Sequence, residues 1–155
     1  MNFENEVQAY NYFIENIGID SYLDNLSKVL NASSDKCVLI GFSVGASVIW
    51  KLSELSSKHI NKVVKKAICY YGSQIRHLTQ LSPVFNVEVV FPKRESHFDV
   101  LALQIVLTTK DNVSTMQAEY LHGFMNTHSQ NFNREGYTEH VAILRKNIQI
   151  ENSIL

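Results

Sequence analysis

The segment from residue 37 to residue 58 constrains the fold more than any other part of the chain. It begins with a short, continuous apolar run, Cys37-Val38-Leu39-Ile40, which is typical of a strand that is buried on both faces. The pentapeptide Gly41-Phe42-Ser43-Val44-Gly45 follows at once, and helical periodicity then covers residues 46–58. The pattern predicts a strand, a tight turn and a helix, with Ser43 at the turn.

This turn gives Ser43 a candidate chemical role. Gly41 and Gly45 are expected to remove side chains that would clash in so tight a turn, so that Ser43 is presented between strand and helix. There the helix dipole and the free backbone N–H groups favour developing negative charge, and the N–H of Val44 is the candidate oxyanion donor. The sequence therefore predicts Ser43 as a nucleophile. The alternative is a glycine-bounded turn with an inert serine.

A serine nucleophile needs a general base, and the base needs an acid that orients it. With this kind of turn the order along the chain is serine, acid, histidine. Of the six histidines, His122 fits this order because it follows the last predicted strand. The other five come too early, lie where the acid is expected, or are expected at the surface: His59 and His77, then His97, then His128 and His140.

The acid is expected in the loop after the third predicted strand. This loop contains Glu95 and Asp99, and either carboxylate could reach the histidine. Glu95 is the preferred candidate and Asp99 is the alternative. A carboxylate so close to Lys93 and Arg94 could instead form a surface ion pair, which would contribute little.

The rest of the chain alternates between strand-like and helix-like segments. Strands are predicted over residues 63–71, 86–91 and 113–120, and helices over residues 3–15, 20–31, 99–109 and 135–147. Asp20 is expected to cap its helix. The 99–109 segment also alternates like a strand, but a shared helical face favours a helix. The alternation predicts a parallel sheet with right-handed crossovers.

Composition narrows the classes of protein that need to be considered. With 45% hydrophobic and 19% charged residues, the chain is expected to form one globular domain. A net charge of -1, from 14 basic and 15 acidic residues, predicts no nucleic-acid surface. The polar N-terminus is unlike a signal peptide, so none is expected. No apolar run reaches the roughly 20 residues that a membrane span needs, so no span is expected either. Cys37 and Cys69 lack metal-ligand spacing, so buried free thiols, no metal site and a cytoplasmic location are expected.

Three blocks of the sequence resemble the dienelactone hydrolase family. They are the elbow Leu39-Ile40-Gly41-Phe42-Ser43-Val44-Gly45-Ala46, the strand end Ala67-Ile68-Cys69-Tyr70-Tyr71-Gly72, and the His-Gly-Phe segment Leu121-His122-Gly123-Phe124-Met125-Asn126. The resemblance implies an α/β-hydrolase, a three-layer parallel sheet with helices on both faces, which acts on an ester or lactone without a metal or organic cofactor. It also implies His122 as the catalytic histidine. The implied domain covers residues 1–155, with a helical lead-in over 1–35 and a family-like core over 36–147.

The chain departs from the family pattern in three places. Ser43 stands where the best-known members carry cysteine, and Glu95 stands where they carry the aspartate of the triad. The resemblance therefore implies ordinary serine esterase chemistry. Only about 35 residues, predicted to be helical, precede the elbow strand, where family members have several strands. An N-terminally truncated fold is thus expected, with an open side on the elbow strand.

An open strand edge is an association hazard. We therefore expect either a homo-oligomer or the helical segment 1–31 to cover this side of the sheet. Two interpretations of function follow. In the first the chain is a hydrolase that uses Ser43, His122 and Glu95. In the second it is a catalytically impaired or inactive remnant that serves as a binding or subunit module.

Overall fold

A four-stranded parallel sheet forms the centre of the protein. The computed structural model describes residues 3–55 and 57–153, and side chains as far as residue 149. The strands are β1 (Cys37–Phe42), β2 (Val64–Tyr70), β3 (Asn86–Phe91) and β4 (Val113–Gln117), and their spatial order is β1-β2-β3-β4. Each strand pairs in parallel with its neighbour, for example Ile40 opposite Ile68. The predicted fold class is therefore confirmed.

Helices connect and cover the strands. They are α1 (Glu6–Asn16), α2 (Gly18–Ala32), α3 (Val44–Leu55), α4 (Lys58–Val63), α5 (Val100–Thr108) and α6 (Arg134–Ser153), with a 3-10 turn at Ser73–His77. The sequence pattern did not predict α4. This short helix starts because the Ser57 hydroxyl accepts a hydrogen bond from the N–H of Ile60 at 3.2 Å.

Each face of the sheet is covered by helices, because alternate side chains of a strand point to opposite faces. On one face Cys69 and Val89 pack with Leu52 of α3 and Leu103 of α5 in the larger hydrophobic core. The other face holds a smaller core, made of Ile68, Tyr70, Tyr71, Val90, Ala118, Phe124 and Leu144. Leu144 belongs to α6, so the three-layer arrangement is as the sequence predicts. None of the helices in the described part of the chain is long and apolar enough to cross a membrane.

The predicted cap of α2 is wrong. This helix begins at Gly18, whose φ of +73° suits a residue without a side chain, and Ile17 precedes it without a side-chain cap. Asp20 lies within the first turn instead. Its carboxylate pairs with Lys51 Nζ of α3 at 2.5 Å, so it links two helices rather than closing the end of one.

The prediction that His140 lies at the surface is also wrong. Its exposed fraction is 2%, and its Nδ1 lies 3.2 Å from the Tyr70 hydroxyl. His140 and Leu144 are four residues apart on α6, so both lie on the helix face that packs against the sheet. Burial lowers the pKa of His140, against a smaller opposing effect of Glu139.

Strand β1 lies at one edge of the sheet and pairs, among the described residues, with β2 alone. Its first four residues are only half-buried. Helix α2 packs on α3 nearby, yet a cavity of about 390 Å³ lies between Tyr22 and Leu26 of α2 and residues 39–42 of β1. The elbow strand β1 therefore lies at the edge of the sheet, and a groove runs along its outer side.

Candidate active site

Ser43 occupies the sharp turn between β1 and α3. Its φ is +51°, a left-handed conformation that is unfavourable for a residue with a side chain, and its N–H donates to Tyr70 O at 2.9 Å. Gly41 permits this turn, because a Cβ there would lie 2.6 Å from Gly45 C. Gly45 is different: the nearest atom outside its own helix is Tyr22 Oη, 3.7 Å from an added Cβ. The expectation that Gly45 avoids a clash is therefore wrong.

The structure brings together the three predicted residues Ser43, His122 and Glu95. Ser43 Oγ lies 3.2 Å from His122 Nε2, and His122 Nδ1 lies 2.7 Å from Glu95 Oε1. Ser43 follows β1, Glu95 follows β3 and His122 follows β4. The carboxyl ends of parallel strands lie at the same end of the sheet, so loops that leave them can bring residues 79 positions apart in sequence to hydrogen-bond distance.

Ser73 is a member of this cluster that the sequence pattern did not reveal. Its hydroxyl donates to Glu95 Oε1 at 2.8 Å and lies 3.3 Å from His122 Nδ1. Ser73 comes shortly after the end of β2, directly after Gly72. Its position after a strand end is the sequence feature from which a place in the site could have been predicted. With Ser73, the carboxyl ends of all four strands contribute to one hydrogen-bonded group.

Hydrogen bonds hold Glu95 in its charged form. Burial raises its pKa, but the hydrogen bonds from His122 and Ser73, together with the charges of His122 and His97, outweigh burial. The pKa of Glu95 therefore lies below its usual value. An ionised Glu95 can accept a hydrogen bond from a protonated Nδ1 of His122, which leaves the unprotonated Nε2 facing Ser43.

Asp99, the alternative acid, has another role. Its Oδ1 accepts hydrogen bonds from the N–H groups of Leu101 at 2.9 Å and Ala102 at 3.1 Å, which makes it the cap of α5. Lys93, a candidate surface partner for the loop carboxylates, pairs with Glu119 instead. The geometry therefore favours Glu95 over Asp99 beside His122.

Two further contacts fix the position of the His122 ring and its loop. The Tyr71 ring packs beside it with the ring centroids 4.8 Å apart, and Asn131 Nδ2 donates to His122 O at 2.9 Å. Tyr71 has a φ of +39°, and its N–H donates to Val90 O at 2.8 Å. The backbone after β2 is thus strained in the same region as the turn at Ser43.

Val44, the candidate oxyanion donor, is the first residue of α3. The Val44 N–H has no carbonyl acceptor within the helix, because it belongs to the first turn. It is therefore available to donate to a bound group at the helix end. A cavity of about 850 Å³ opens on Ser43 and Val44, and a smaller one of about 380 Å³ lies on the side of Phe42 and Met125. A substrate carbonyl thus has two spaces for the groups on either side of it.

The site contains no cluster that suits a metal ion. Over residues 3–55 and 57–153, no three His, Cys, Asp or Glu side chains are placed to share one. Both cysteines are free thiols in the strands, Cys69 buried and Cys37 half-buried. Burial raises the pKa of both, which suits inert structural thiols.

Comparison of sequences identifies a relative. No family model matches the chain. It is 32% identical over 143 residues to the uncharacterized protein YczH of Bacillus subtilis (strain 168), and the match covers 90% of the chain and 68% of that protein. This identity and coverage place the two proteins in one family.

Comparison of structures identifies the fold. A "Putative Dienelactone Hydrolase" from Klebsiella pneumoniae subsp. pneumoniae MGH 78578 superposes with a TM-score of 0.67 at 12% identity, over 92% of the chain. The chain spans 66% of the length of that structure. A lipase-esterase related protein from Clostridium acetobutylicum ATCC 824 gives a TM-score of 0.53 at 13% identity, over 80% of the chain and 74% of that structure. The chain therefore belongs to the same family as YczH of B. subtilis and has an α/β-hydrolase fold of the dienelactone hydrolase type.

Proposed function

We propose that the protein hydrolyses a small ester or lactone through a serine nucleophile. The observation that carries this proposal is the hydrogen-bonded chain from Ser43 through His122 to Glu95. Nucleophile, base and orienting acid stand in the order that acyl transfer requires, and they lie beside a cavity of about 850 Å³.

The proposed reaction has two steps. Ser43 Oγ attacks the carbonyl carbon while His122 Nε2 takes the serine proton, and the Val44 N–H donates to the oxyanion that forms. His122 then gives this proton to the leaving alkoxide, and an acyl-enzyme remains. In the second step water attacks the acyl group, His122 takes a water proton and returns it to Ser43, and the acid is released. Glu95 orients His122 throughout. These residues supply the whole reaction, so the proposal needs no cofactor.

The proposed location is the cytoplasm. Both cysteines are free thiols, which suits a reducing compartment. A small-molecule ester or lactone from the cytoplasm is then the expected substrate.

The test is hydrolysis of p-nitrophenyl acetate together with labelling by a fluorophosphonate probe. We expect Ser43→Ala to abolish labelling, and Ser43→Ala and His122→Ala to lower kcat/KM about 1000-fold or more. Ser82→Ala is the matched control, because Ser82 is exposed and lies outside the site. Robust hydrolysis by Ser43→Ala would overturn the proposal.

The second candidate is a binding or subunit module without activity. The observation that favours it is the coverage of only 66% of the Klebsiella structure, because the rest of that structure has no counterpart in the match. Wild-type protein that is folded, yet neither hydrolyses the ester nor takes up the probe, would support this candidate over the hydrolase.

A further inference from the structure

The smaller of the two cavities combines aromatic walls with a carboxylate. It has a volume of about 380 Å³ and opens on Ser43 and His122. Its remaining walls are Glu6, Phe42, Tyr71, Gly123, Met125 and Asn126. The rings of Phe42 and Tyr71 lie with their centroids 6.0 Å apart. Glu6 is the only side chain of Asp, Glu, Lys or Arg type in this lining.

Glu6 enters the cavity from the first turn of α1. Its Oε1 accepts a hydrogen bond from Asn126 Nδ2 at 2.8 Å, which joins α1 to the loop that carries His122. Within the described part of the chain no lysine, arginine or histidine forms an ion pair with it. Its charge nevertheless acts on the cavity wall: burial raises the pKa of Tyr71, and the charge of Glu6 adds to this effect against a hydrogen bond with Met125.

Glu6 is solvent-exposed, so water screens its charge in part, but a carboxylate that lines the same cavity as a serine nucleophile remains unfavourable for a neutral substrate. The tetrahedral intermediate carries a negative oxygen, and a second negative charge nearby opposes its formation. A substrate that brings its own positive charge into the same cavity would offset that repulsion. Aromatic faces, a thioether and a carboxylate are also the groups that bind alkylammonium ions.

The larger cavity lacks the Phe42 and Tyr71 rings and contains a cationic side chain, although Glu6 and Glu95 also line it. Arg76 lines it, and its Nη1 donates to Ser73 O at 2.6 Å, which fixes the guanidinium there. The two cavities share Glu6, Ser43, His122 and Asn126. They differ in the Phe42 and Tyr71 rings, which line the smaller one alone, and in Arg76 and Glu95, which line the larger one alone. A substrate cation that contacts both the Glu6 carboxylate and the Phe42 and Tyr71 rings is therefore favoured in the smaller cavity.

We infer that the preferred substrate is an ester with an ammonium group, held in the smaller cavity by Glu6, Phe42 and Tyr71. This inference rests on the proposed hydrolase function and adds a substrate class to it. Glu6 acts here as a specificity residue, whereas Ser43 and His122 carry out the reaction.

The first test compares acetylthiocholine with its neutral isostere S-(3,3-dimethylbutyl) thioacetate. The two thioesters have the same shape and differ by one charge. We expect wild-type protein to prefer the cationic thioester by about 10-fold in kcat/KM. Glu6→Gln keeps the acceptor for Asn126 and removes the charge, so this ratio should fall to about 2 or less. Glu4→Gln makes the same change in net charge on an exposed residue outside the cavity and should keep the wild-type ratio.

The second test measures binding without catalysis. Saturation-transfer NMR with tetramethylammonium should show contact with the wild-type protein and with Glu4→Gln, and a loss of at least half of the signal in Glu6→Gln. Hydrolysis of neutral esters without a preference for the cationic thioester would overturn the inference and leave the hydrolase proposal standing. If no ester is hydrolysed, the hydrolase proposal fails, and the binding test alone decides whether the cavity accepts a cation.

Discussion

Two carboxylates of one loop, Glu95 and Asp99, have separate roles at the scale of single residues. Glu95 accepts hydrogen bonds from His122 and Ser73 on the same oxygen, and only 9% of its side chain is exposed. Asp99 accepts backbone N–H groups at the start of α5. The first arrangement orients a base, and the second satisfies the end of a helix.

Substitution of these carboxylates should separate activity from stability. Glu95→Gln should lower kcat/KM for p-nitrophenyl acetate about 1000-fold, because the amide no longer holds His122 in the orientation and proton arrangement that the reaction needs. Asp99→Ala should leave kcat/KM unchanged and cost about 1 kcal/mol in the free energy of unfolding, since α5 loses its cap. Kinetics and urea unfolding of both variants check this. The opposite pattern would make Asp99 the acid.

The lowered pKa of Glu95 predicts how stability depends on pH. A carboxyl group whose pKa is lower in the folded than in the unfolded protein stabilises the fold above its unfolded pKa. That contribution is lost as the pH falls through the folded value. The free energy of unfolding should therefore decrease more steeply with acidification in wild-type protein than in Glu95→Gln. Urea unfolding at a series of acidic pH values measures both slopes, and equal slopes would contradict the prediction.

The sequence predicts residues best where the backbone itself fixes them. Ser43 directly follows β1 and His122 lies in the loop after β4, so the topology places both at the same end of the sheet, and that loop carries His122 across to Ser43. The choice between Glu95 and Asp99 depends on the path of a loop, which the sequence pattern does not specify. Ser73 was missed for a similar reason, because a serine after a strand end has no periodic signal of its own.

At the scale of elements, local chemistry accounts for both the successes and the errors. The third predicted strand matches β3 at both ends, and Pro92 accounts for its C-terminal end because it cannot extend the ladder. The 99–109 segment is a helix, as the shared face of Val100, Leu103, Val106 and Leu107 indicated, although Val106 is exposed and only the other three are buried. The burial of His140 was missed because a histidine on an amphipathic helix can face either way. The contact with the Tyr70 hydroxyl places His140 on the face of α6 that packs against the sheet.

The packing of α6 on the sheet should depend on His140. Truncation by His140→Ala removes a buried ring that packs against Tyr70 and Phe124, and it leaves the Tyr70 hydroxyl without this partner. We expect a loss of about 2–4 kcal/mol in the free energy of unfolding. His128→Ala, at an exposed position, is the control and should change stability by less than about 0.5 kcal/mol. Urea unfolding at neutral pH measures both, and equal effects would contradict the role of His140.

At the scale of the whole molecule, the two edges of the sheet differ in chemistry. The β4 edge carries Ser114 and Thr115, and Gln104 of α5 donates to Thr115 at 3.0 Å. The β1 edge is apolar on both faces over Cys37–Phe42 and carries no charged side chain there. Natural edge strands are usually protected by charges, prolines or covering elements. The groove beside β1 adds further exposed apolar surface.

We therefore expect two copies of the chain to associate through β1. Light scattering on a sizing column should give the mass of a dimer for wild-type protein at micromolar concentration. Val38→Lys should give a monomer, because a lysine at this half-buried position places positive charges on both sides of the dimer interface, where they repel each other. Ser114→Lys adds the same charge to the opposite edge and should stay dimeric. Circular dichroism verifies that both variants are folded. A wild-type monomer, or a Val38→Lys variant that is folded and dimeric, would show that β1 does not form the interface.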